Sequence, residues 1–347
     1  EIEIDSTFRI DIETDFNRNI NTNRFNSQSE TLNDSRILTN DSKIGSIADS
    51  NSERFDNEIN LTKKFGSRGA FFRVELTANL QKTVTDDFVK SETNIYGANP
   101  DQIIRDQYSD GNSDIKELRS EFTYRFPIKS KMLFLDAAYT VGNTNTKSKR
   151  STFDFDQNTN EYTSFSNLLS TDFEYSNKTN RPSLELEFKN KKWSAGTEIA
   201  YNNRTLENTD YLRPQTNLVR EFNNLEYGFN VRYRKNRTSS YRFRYNFRNA
   251  TPSLAQLQPF RDESNPLNII TGNPSLAPSK IHNIRFGVSN FNWQQRTGFW
   301  SFANISYTND RVVANTTINP NSLIRETTYA NVDGFVSMRD AVKKLNG

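Results

Sequence analysis

The segment Leu225–Arg248 constrains the fold most, because it reads as two alternating arms joined by a short polar turn. Apolar residues occupy every second position of both arms, and the positions between them are mostly polar or basic. The apolar set is Leu225, Tyr227, Phe229, Val231, Tyr233, Tyr241, Phe243, Tyr245 and Phe247. The polar set includes Glu226, Asn230, Arg232, Arg234, Arg242, Arg244, Asn246 and Arg248. A period of two with such a turn predicts an antiparallel β-hairpin whose faces meet different surroundings.

The composition of the two faces indicates what those surroundings are. In a soluble β-sandwich the apolar face meets a second sheet, mainly through Val, Ile and Leu. Here the apolar face is aromatic and the opposite face is rich in arginine. Tyrosine and phenylalanine suit lipid, guanidinium groups suit a wet lumen, and each arm has about the 9–11 residues that cross a bilayer. The hairpin therefore predicts a transmembrane β-barrel; the alternative is a soluble antiparallel sheet with one solvated face.

The same alternation recurs along the chain and predicts an all-β, antiparallel fold with about 12 strands. Short turns lie near residues 67, 129, 191, 237 and 294. A longer connection separates each consecutive pair, and this sorting of turns is typical of outer-membrane barrels, whose short turns are periplasmic.

Three local features carry more specific predictions. Residues 17–52 are dense in Asn, Ser, Thr and Asp, which predicts a long polar loop or ragged strand extensions. A slip of the alternation between Phe302 and Ala303 predicts a β-bulge. The last strand is predicted over Thr327–Val336.

The composition excludes several kinds of site. The 347 residues include one histidine, His282, and no cysteine, which excludes thiolate metal sites, disulfides and any site that needs two histidines. The net charge is only +3 and the two signs are interspersed, unlike the one-sided basic patch of a nucleic-acid-binding protein. No stretch approaches the about 18 apolar residues of a transmembrane helix. We therefore expect no enzymatic activity, no metal or other cofactor and no nucleic-acid partner.

A proline-rich segment separates the organising hairpin from the strands that follow it. Five of the ten prolines lie between Thr251 and Pro278. Because proline fixes φ and removes a ladder donor, about residues 249–280 are predicted to form a rigid, shaped external loop. The residues with a fixed spacing are Pro252, Ser253, Gln256, Leu257, Asn265, Pro266, Leu267, Gly272, Asn273, Pro274, Leu276 and Pro278.

This spacing resembles the late-barrel segment of TonB-dependent outer-membrane receptors, especially the large barrel family of Bacteroidota. The string Thr327-Thr-Tyr-Ala-Asn-Val-Asp-Gly334 is similar to the family too. Such receptors combine a leader, a TonB box and a plug domain with a barrel of about 22 strands. The resemblance thus implies that residues 1–347 form part of a larger barrel whose plug lies outside this chain.

The resemblance also implies a location, partners and a function. It points to the bacterial outer membrane and its lipid, to the TonB complex acting through the plug, and to a surface lipoprotein as a further candidate partner. We expect import of a siderophore, glycan or peptide. Candidate substrate contacts are Arg232, Arg242, Arg244 and Asn246 in the lumen and Gln256, Arg261, Asp262 and Asn265 in the proline-rich loop. A passive barrel or surface adhesin without energised gating, and a secreted soluble β-protein, remain as alternatives.

Overall fold

The structure is a computed structural model that describes residues 2–96, 100–292, 294 and 296–345. The strands are β1 Ile2–Asp5, β2 Phe8–Leu32, β3 Leu38–Phe65, β4 Ala70–Ile95, β5 Asp101–Lys129, β6 Leu133–Asp156, β7 Glu161–Phe165, β8 Thr171–Lys189, β9 Trp193–Asp210, β10 Leu218–Arg234, β11 Ser239–Ala250, β12 Arg261–Asp262, β13 Asn268–Thr271, β14 Ser279–Asn292, β15 Thr297–Asn309, β16 Arg311–Ile318, β17 Arg325–Val332 and β18 Phe335–Leu345. Helix α1 is Leu254–Leu257, and Pro214–Thr216 form a 3₁₀ turn. Neither helical segment could cross a bilayer, and the other described residues contain no helix.

Fourteen strands form one sheet whose neighbours pair antiparallel, in the order β1 to β6, β8 to β11, β14, β15 and β18, with β7 beside β6. Twelve of these strands have at least 11 residues, namely β2–β6, β8–β11, β14, β15 and β18. The all-β barrel fold and the number of strands are therefore confirmed. The organising hairpin is β10 and β11, in which Tyr227 lies opposite Phe247 and Arg232 opposite Arg242.

The two faces of this sheet have the unlike character that the alternation predicts. On the outer face Tyr227 and Phe229 are each 43% exposed, and the ring centroid of Phe229 lies 5.3 Å from that of Phe243 on the neighbouring strand. Within the described part of the chain, the buried apolar side chains are Ile95, Phe134, Ala200, Leu206, Phe222, Leu257, Ile269 and Leu276. None of these is one of the outer-face aromatic residues, as the prediction of a lipid-facing wall requires and as the alternative of a soluble sheet packed on a second sheet does not.

Short turns occur at 66–69, 130–132, 190–192 and 235–238, where they are predicted. The fifth, near 294, includes residues 293 and 295, which lie outside the described residues. The opposite ends of the strands project far beyond a membrane. β5 has 29 residues and is about 95 Å long at about 3.3 Å per residue, whereas the apolar band of such barrels is about 25 Å tall.

The predicted polar loop at 17–52 is wrong, and the alternative of strand extensions is right. β2 and β3 pair without interruption from Phe8 opposite Lys63 to Thr31 opposite Asn40, and only residues 33–37 turn between them. Backbone ladder bonds need no apolar side chains, and hydroxyl pairs such as Ser42 with Thr93, 3.0 Å apart, join neighbouring extensions.

Two further strand predictions are wrong. β14 and β15 pair in unbroken register from Lys280 opposite Asn309 to Asn292 opposite Thr297, so no bulge occurs at Phe302. The slip in the pattern instead reflects a change of side-chain type, since Trp300 and Phe302 share the lumenal face with Asn304. The segment Thr327–Val336 is also not one strand. β17 ends at Val332, Gly334 adopts a φ of +85°, which favours glycine, and β18 begins at Phe335 in the large sheet.

Candidate functional site in the barrel lumen

A second sheet of four strands, in the order β12, β13, β17 and β16, lies against the lumenal face of the barrel wall. It is built from residues 251–278 and 310–334, which we call the lumenal lid. The two segments meet through a parallel pair in which Asn268 lies opposite Arg325. The proline-rich segment is thus not an isolated external loop, because it folds inward and pairs with a second connection.

Helix α1 of the lid begins with a capping box. The side chain of Ser253 accepts a hydrogen bond from the backbone of Gln256, and the Gln256 side chain accepts one from the backbone of Ser253 at 2.9 Å. This cap directs Leu257 into an apolar cluster. The cluster contains Leu257 and Leu276 of the lid, 0% and 1% exposed, together with Leu206 of β9 and Phe222 of β10. Burial of these leucines fixes one side of the lid to the wall.

The opposite side of the lid reaches β3 and β5 through polar contacts. Arg105 donates hydrogen bonds to the carbonyl oxygens of Ser264 at 2.6 Å and Glu263 at 3.0 Å. Asn40 donates one to the carbonyl oxygen of Ser322 at 2.7 Å. Burial lowers the pKa of Arg105, which lies on the strand extension outside the membrane, from its ordinary value. An arginine remains charged despite such a shift, so this contact is charge-assisted.

The Gly272-Asn273-Pro274 motif has a structural explanation within the lid. A Cβ at position 272 would lie 2.2 Å from the carbonyl oxygen of Gln258 and 2.9 Å from that of Ala255. Asn273 then joins the two lid segments, since its side-chain amide donates to the carbonyl oxygen of Tyr329 at 2.9 Å. Glycine is therefore needed for close approach to the helix, and asparagine for the link to β17.

We expect Gly272→Ala to destabilise the lid by about 1–3 kcal/mol, because the added methyl group meets backbone atoms that cannot rotate away. Limited proteolysis of the purified protein in detergent would show faster cleavage within 251–278. Gly142→Ala in β6 is the control for loss of a glycine, since a Cβ there would meet no atom closer than 3.7 Å and its backbone is not in the left-handed region. Equal proteolysis of the lid in Gly272→Ala and the unmodified protein would contradict the packing argument.

The four loop residues proposed as substrate contacts all have partners within the lid. Gln256 completes the capping box, and Arg261 forms ion pairs with Glu263 at 2.7 Å and Glu326 at 3.0 Å. Asp262 accepts from the backbone of Ser264, and Asn265 from that of Leu267. These bonds shape the lid, and contact with a substrate stays a prediction for all four.

The lumenal face of β5 to β10 carries arginines that are neutralised by carboxylates. Arg125 bonds to Asp136 at 2.5 Å and Glu187 at 2.9 Å. Arg181 bonds to Glu198 at 2.7 Å and lies 3.5 Å from Glu226. A cavity of about 470 Å³ between these strands is lined by both signs of charge.

The next part of the wall has a different electrostatic character. Arg232, Arg242 and Arg244 lie together on the lumenal face of β10 and β11 and line a cavity of about 850 Å³. Asn246 shares the face but does not line this cavity; it lies opposite Gly228, one row farther from the short turn. The structure thus brings the three predicted arginines together and separates them from the four lid residues.

The sequence reasoning missed several residues that line the same cavity. They are Arg285 of β14, Trp300 and Phe302 of β15, and Arg339 of β18. The alternation of Ile284, Arg285 and Phe286 carries the signal for the first. The aromatic pair was hidden because aromatic residues were expected on the outer face. In the described chain, no group of three or more His, Cys, Asp or Glu side chains is placed to hold a metal ion.

Comparisons with known proteins fit this architecture. A family model described as "Outer membrane protein beta-barrel family" matches residues 63–339, and a search of curated proteins found no match. Among solved structures, the copper transporter OprC is similar at 10% identity and a TM-score of 0.52, over 98% of this chain and 59% of its own. The ferric citrate transporter FecA is 10% identical with a TM-score of 0.49, over 98% of this chain and 57% of its own. The Serratia marcescens hemophore receptor HasR is 10% identical with a TM-score of 0.49, over 97% of this chain and 56% of its own.

The likeness to OprC shows a shared fold, and the chain spans less than two thirds of the length of each of these structures. The match to the family model extends from the end of β3 into β18 and so includes most of the wall and the whole lid. Together with the two-faced sheet, it places the chain in the bacterial outer membrane. The chain belongs to the outer membrane protein β-barrel family.

Proposed function

We propose that this chain is part of the barrel of a TonB-dependent receptor that imports a siderophore, glycan or peptide across the outer membrane. The observation that carries the proposal is the lumenal lid, which is fixed by apolar packing on one side and by polar contacts on the other. Each hydrogen bond to the lid can be exchanged for a bond to water at a net cost of about 0.5–3 kcal/mol, the larger value being for charged donors such as Arg105. Exposing two fully buried leucines at once would cost more. Such a lid can release from β3 and β5 while it stays attached to β9 and β10.

In this proposal the TonB complex supplies energy through a plug domain outside this chain, and a surface lipoprotein presents the cargo. Cargo passes the lid and then meets the arginine-lined wall near the short turns. OprC, whose fold this chain shares, is a copper transporter, so the fold is compatible with transport. A lid that is held more weakly on one side favours gated import over a passive barrel or a surface adhesin.

The test compares cells that carry the full-length protein, cells that lack it, and cells that carry it without TonB. Each strain is incubated in a defined mixture of siderophores, oligosaccharides and peptides, and depletion of every solute is measured by mass spectrometry. We expect at least one solute to be depleted only when both the protein and TonB are present. Depletion that persists without TonB would support the passive barrel, and no depletion in any strain would support the adhesin.

A disulfide between the lid and the wall should stop import if the lid must move. The chain has no cysteine, so Asn40→Cys with Ser322→Cys introduces a single pair at a contact between lid and wall. We expect uptake to fall at least tenfold after oxidation and to recover after reduction. The control pair, Thr316→Cys with Thr327→Cys, joins β16 to β17 at directly paired positions and leaves the lid free of the wall. Undiminished uptake by the oxidised Asn40–Ser322 pair would contradict a moving lid.

A further inference from the structure

Five arginines surround the lumenal cavity of about 850 Å³: Arg232, Arg242, Arg244, Arg285 and Arg339. The strand register arranges them in two adjacent rows. In one row Arg232 lies directly opposite Arg242. In the other, Arg244 lies opposite Arg285, and Arg339 follows beyond Asn304. Cross-strand neighbours on one face lie about 5 Å apart, so the five side chains share one small region.

These five arginines lack the counter-ions that the neighbouring part of the wall provides. Within the described residues none of them has a carboxylate partner, and the lining of the cavity contains no Asp or Glu. In the part of the chain that the structure describes, the buried Nε of Arg232 has no hydrogen-bond partner, and Arg285 donates to the amide oxygen of Asn304 at 3.2 Å. Like charges placed directly opposite one another are destabilising. A region of this kind gains stability when it binds negative charge.

The floor and one side of the cavity leave room for a ligand. Gly287 lies between Arg242 and Phe302 in the sheet, and a Cβ there would meet no atom closer than 3.9 Å. Trp300 and Phe302 stand on the same lumenal face with their ring centroids 5.0 Å apart. Open space, donors and an apolar side are thus combined in one place.

We propose that this cavity binds a small polyanionic solute with at least two carboxylate or phosphate groups. Guanidinium forks match both groups in bidentate geometry, and several forks can engage one solute at once. The assignment rests on the proposed import function and gives it a substrate class: cargo passing this wall carries negative charge. The carboxylates in the other part of the wall are already paired with Arg125 and Arg181 and do not neutralise the five arginines of this cavity.

Binding is tested by calorimetry on the purified full-length protein in non-ionic detergent, with citrate and with inorganic pyrophosphate as probes. We expect both anions to bind, with affinity that falls as salt is added. The double variant Arg242→Gln with Arg244→Gln should bind each probe at least tenfold more weakly. The control Arg119→Gln removes a lumenal arginine that is already paired with Glu121 at 2.7 Å, and it should leave the affinity unchanged.

Three results would overturn the assignment: no binding of either probe, equal affinity in the double variant, or binding of an oligoglutamate peptide alone. The last would make the cavity a docking site for an acidic polypeptide instead. Because calorimetry needs neither TonB nor uptake, the two proposals can fail separately. Anion binding without TonB-dependent depletion of any solute would support the anion-binding site and contradict the import function. TonB-dependent depletion of a solute that persists in the double variant would support import and contradict the assignment of an anionic cargo to this cavity.

Discussion

Leu184→Arg is expected to destabilise the barrel by about 2–4 kcal/mol, whereas Ser183→Arg is expected to change its stability by less than about 1 kcal/mol. Leu184 is 50% exposed on the outer face, five residues before the end of β8, so an arginine there would lie in the apolar band. Ser183 faces the lumen, and its cross-strand neighbours Ala138 and Ala200 are small. The same substitution at these two adjacent positions therefore compares a lipid-facing site with a lumen-facing site.

The measurement is urea unfolding of the protein refolded into lipid vesicles, followed by tryptophan fluorescence. The chain has three tryptophans, and Trp193 at the start of β9 and Trp300 in β15 lie in the wall. Stability would be compared among the unmodified protein and the two variants under one set of conditions. If the two substitutions lower the free energy of unfolding equally, the two faces of β8 do not meet lipid and water. The membrane assignment of this strand would then be wrong.

The second large effect is expected in the lid. Leu257→Ala removes a side chain that is 0% exposed and packs with Leu206, Phe222 and Leu276. Such deletions cost about 2–5 kcal/mol, since the transfer free energy is lost and a cavity remains. The loss should fall on the attachment of the lid and leave the wall intact, because the backbone ladder of the wall does not depend on this cluster.

Hydrogen exchange followed by mass spectrometry separates these two parts. In Leu257→Ala, peptides from 251–278 should lose protection, while peptides from β4 and β6 should exchange as before. Leu254→Ala, a truncation of the half-buried leucine in the same helix, serves as the control and should have a smaller effect. Unchanged protection of the lid would mean that the leucine cluster does not hold it.

Much of the wall could be predicted because its signal is local. In β10 and β11 each side chain alternates between lipid and water, so neighbouring residues report the solvent directly. The extensions of β2 and β3 gave no such signal, since polar residues occupy both of their faces. Their strand structure depends on pairing with a neighbour, which residues 17–52 do not reveal when read alone.

The candidate site was predicted in part for the same reason. Arg232, Arg242 and Arg244 follow from the alternation of one hairpin, and the structure places them around one cavity. Arg339 could not be added, because β18 pairs with β15 across the intervening lid segment. The roles of Gln256 and Asp262 also depended on folding, since their partners are backbone groups of the folded lid.

By itself the sequence determined the two-faced strands of the wall, their approximate number and the short turns, because a period of two records the contrast between lipid and water wherever a strand crosses the membrane. Only the tertiary structure decided that the proline-rich segment folds inward, pairs in parallel with β17 and buries Leu257 and Leu276 against the lumenal wall. It also decided which arginines are neutralised and which remain without carboxylate partners in the described chain. These outcomes join residues far apart in the chain, and their energies depend on distances that no local pattern records.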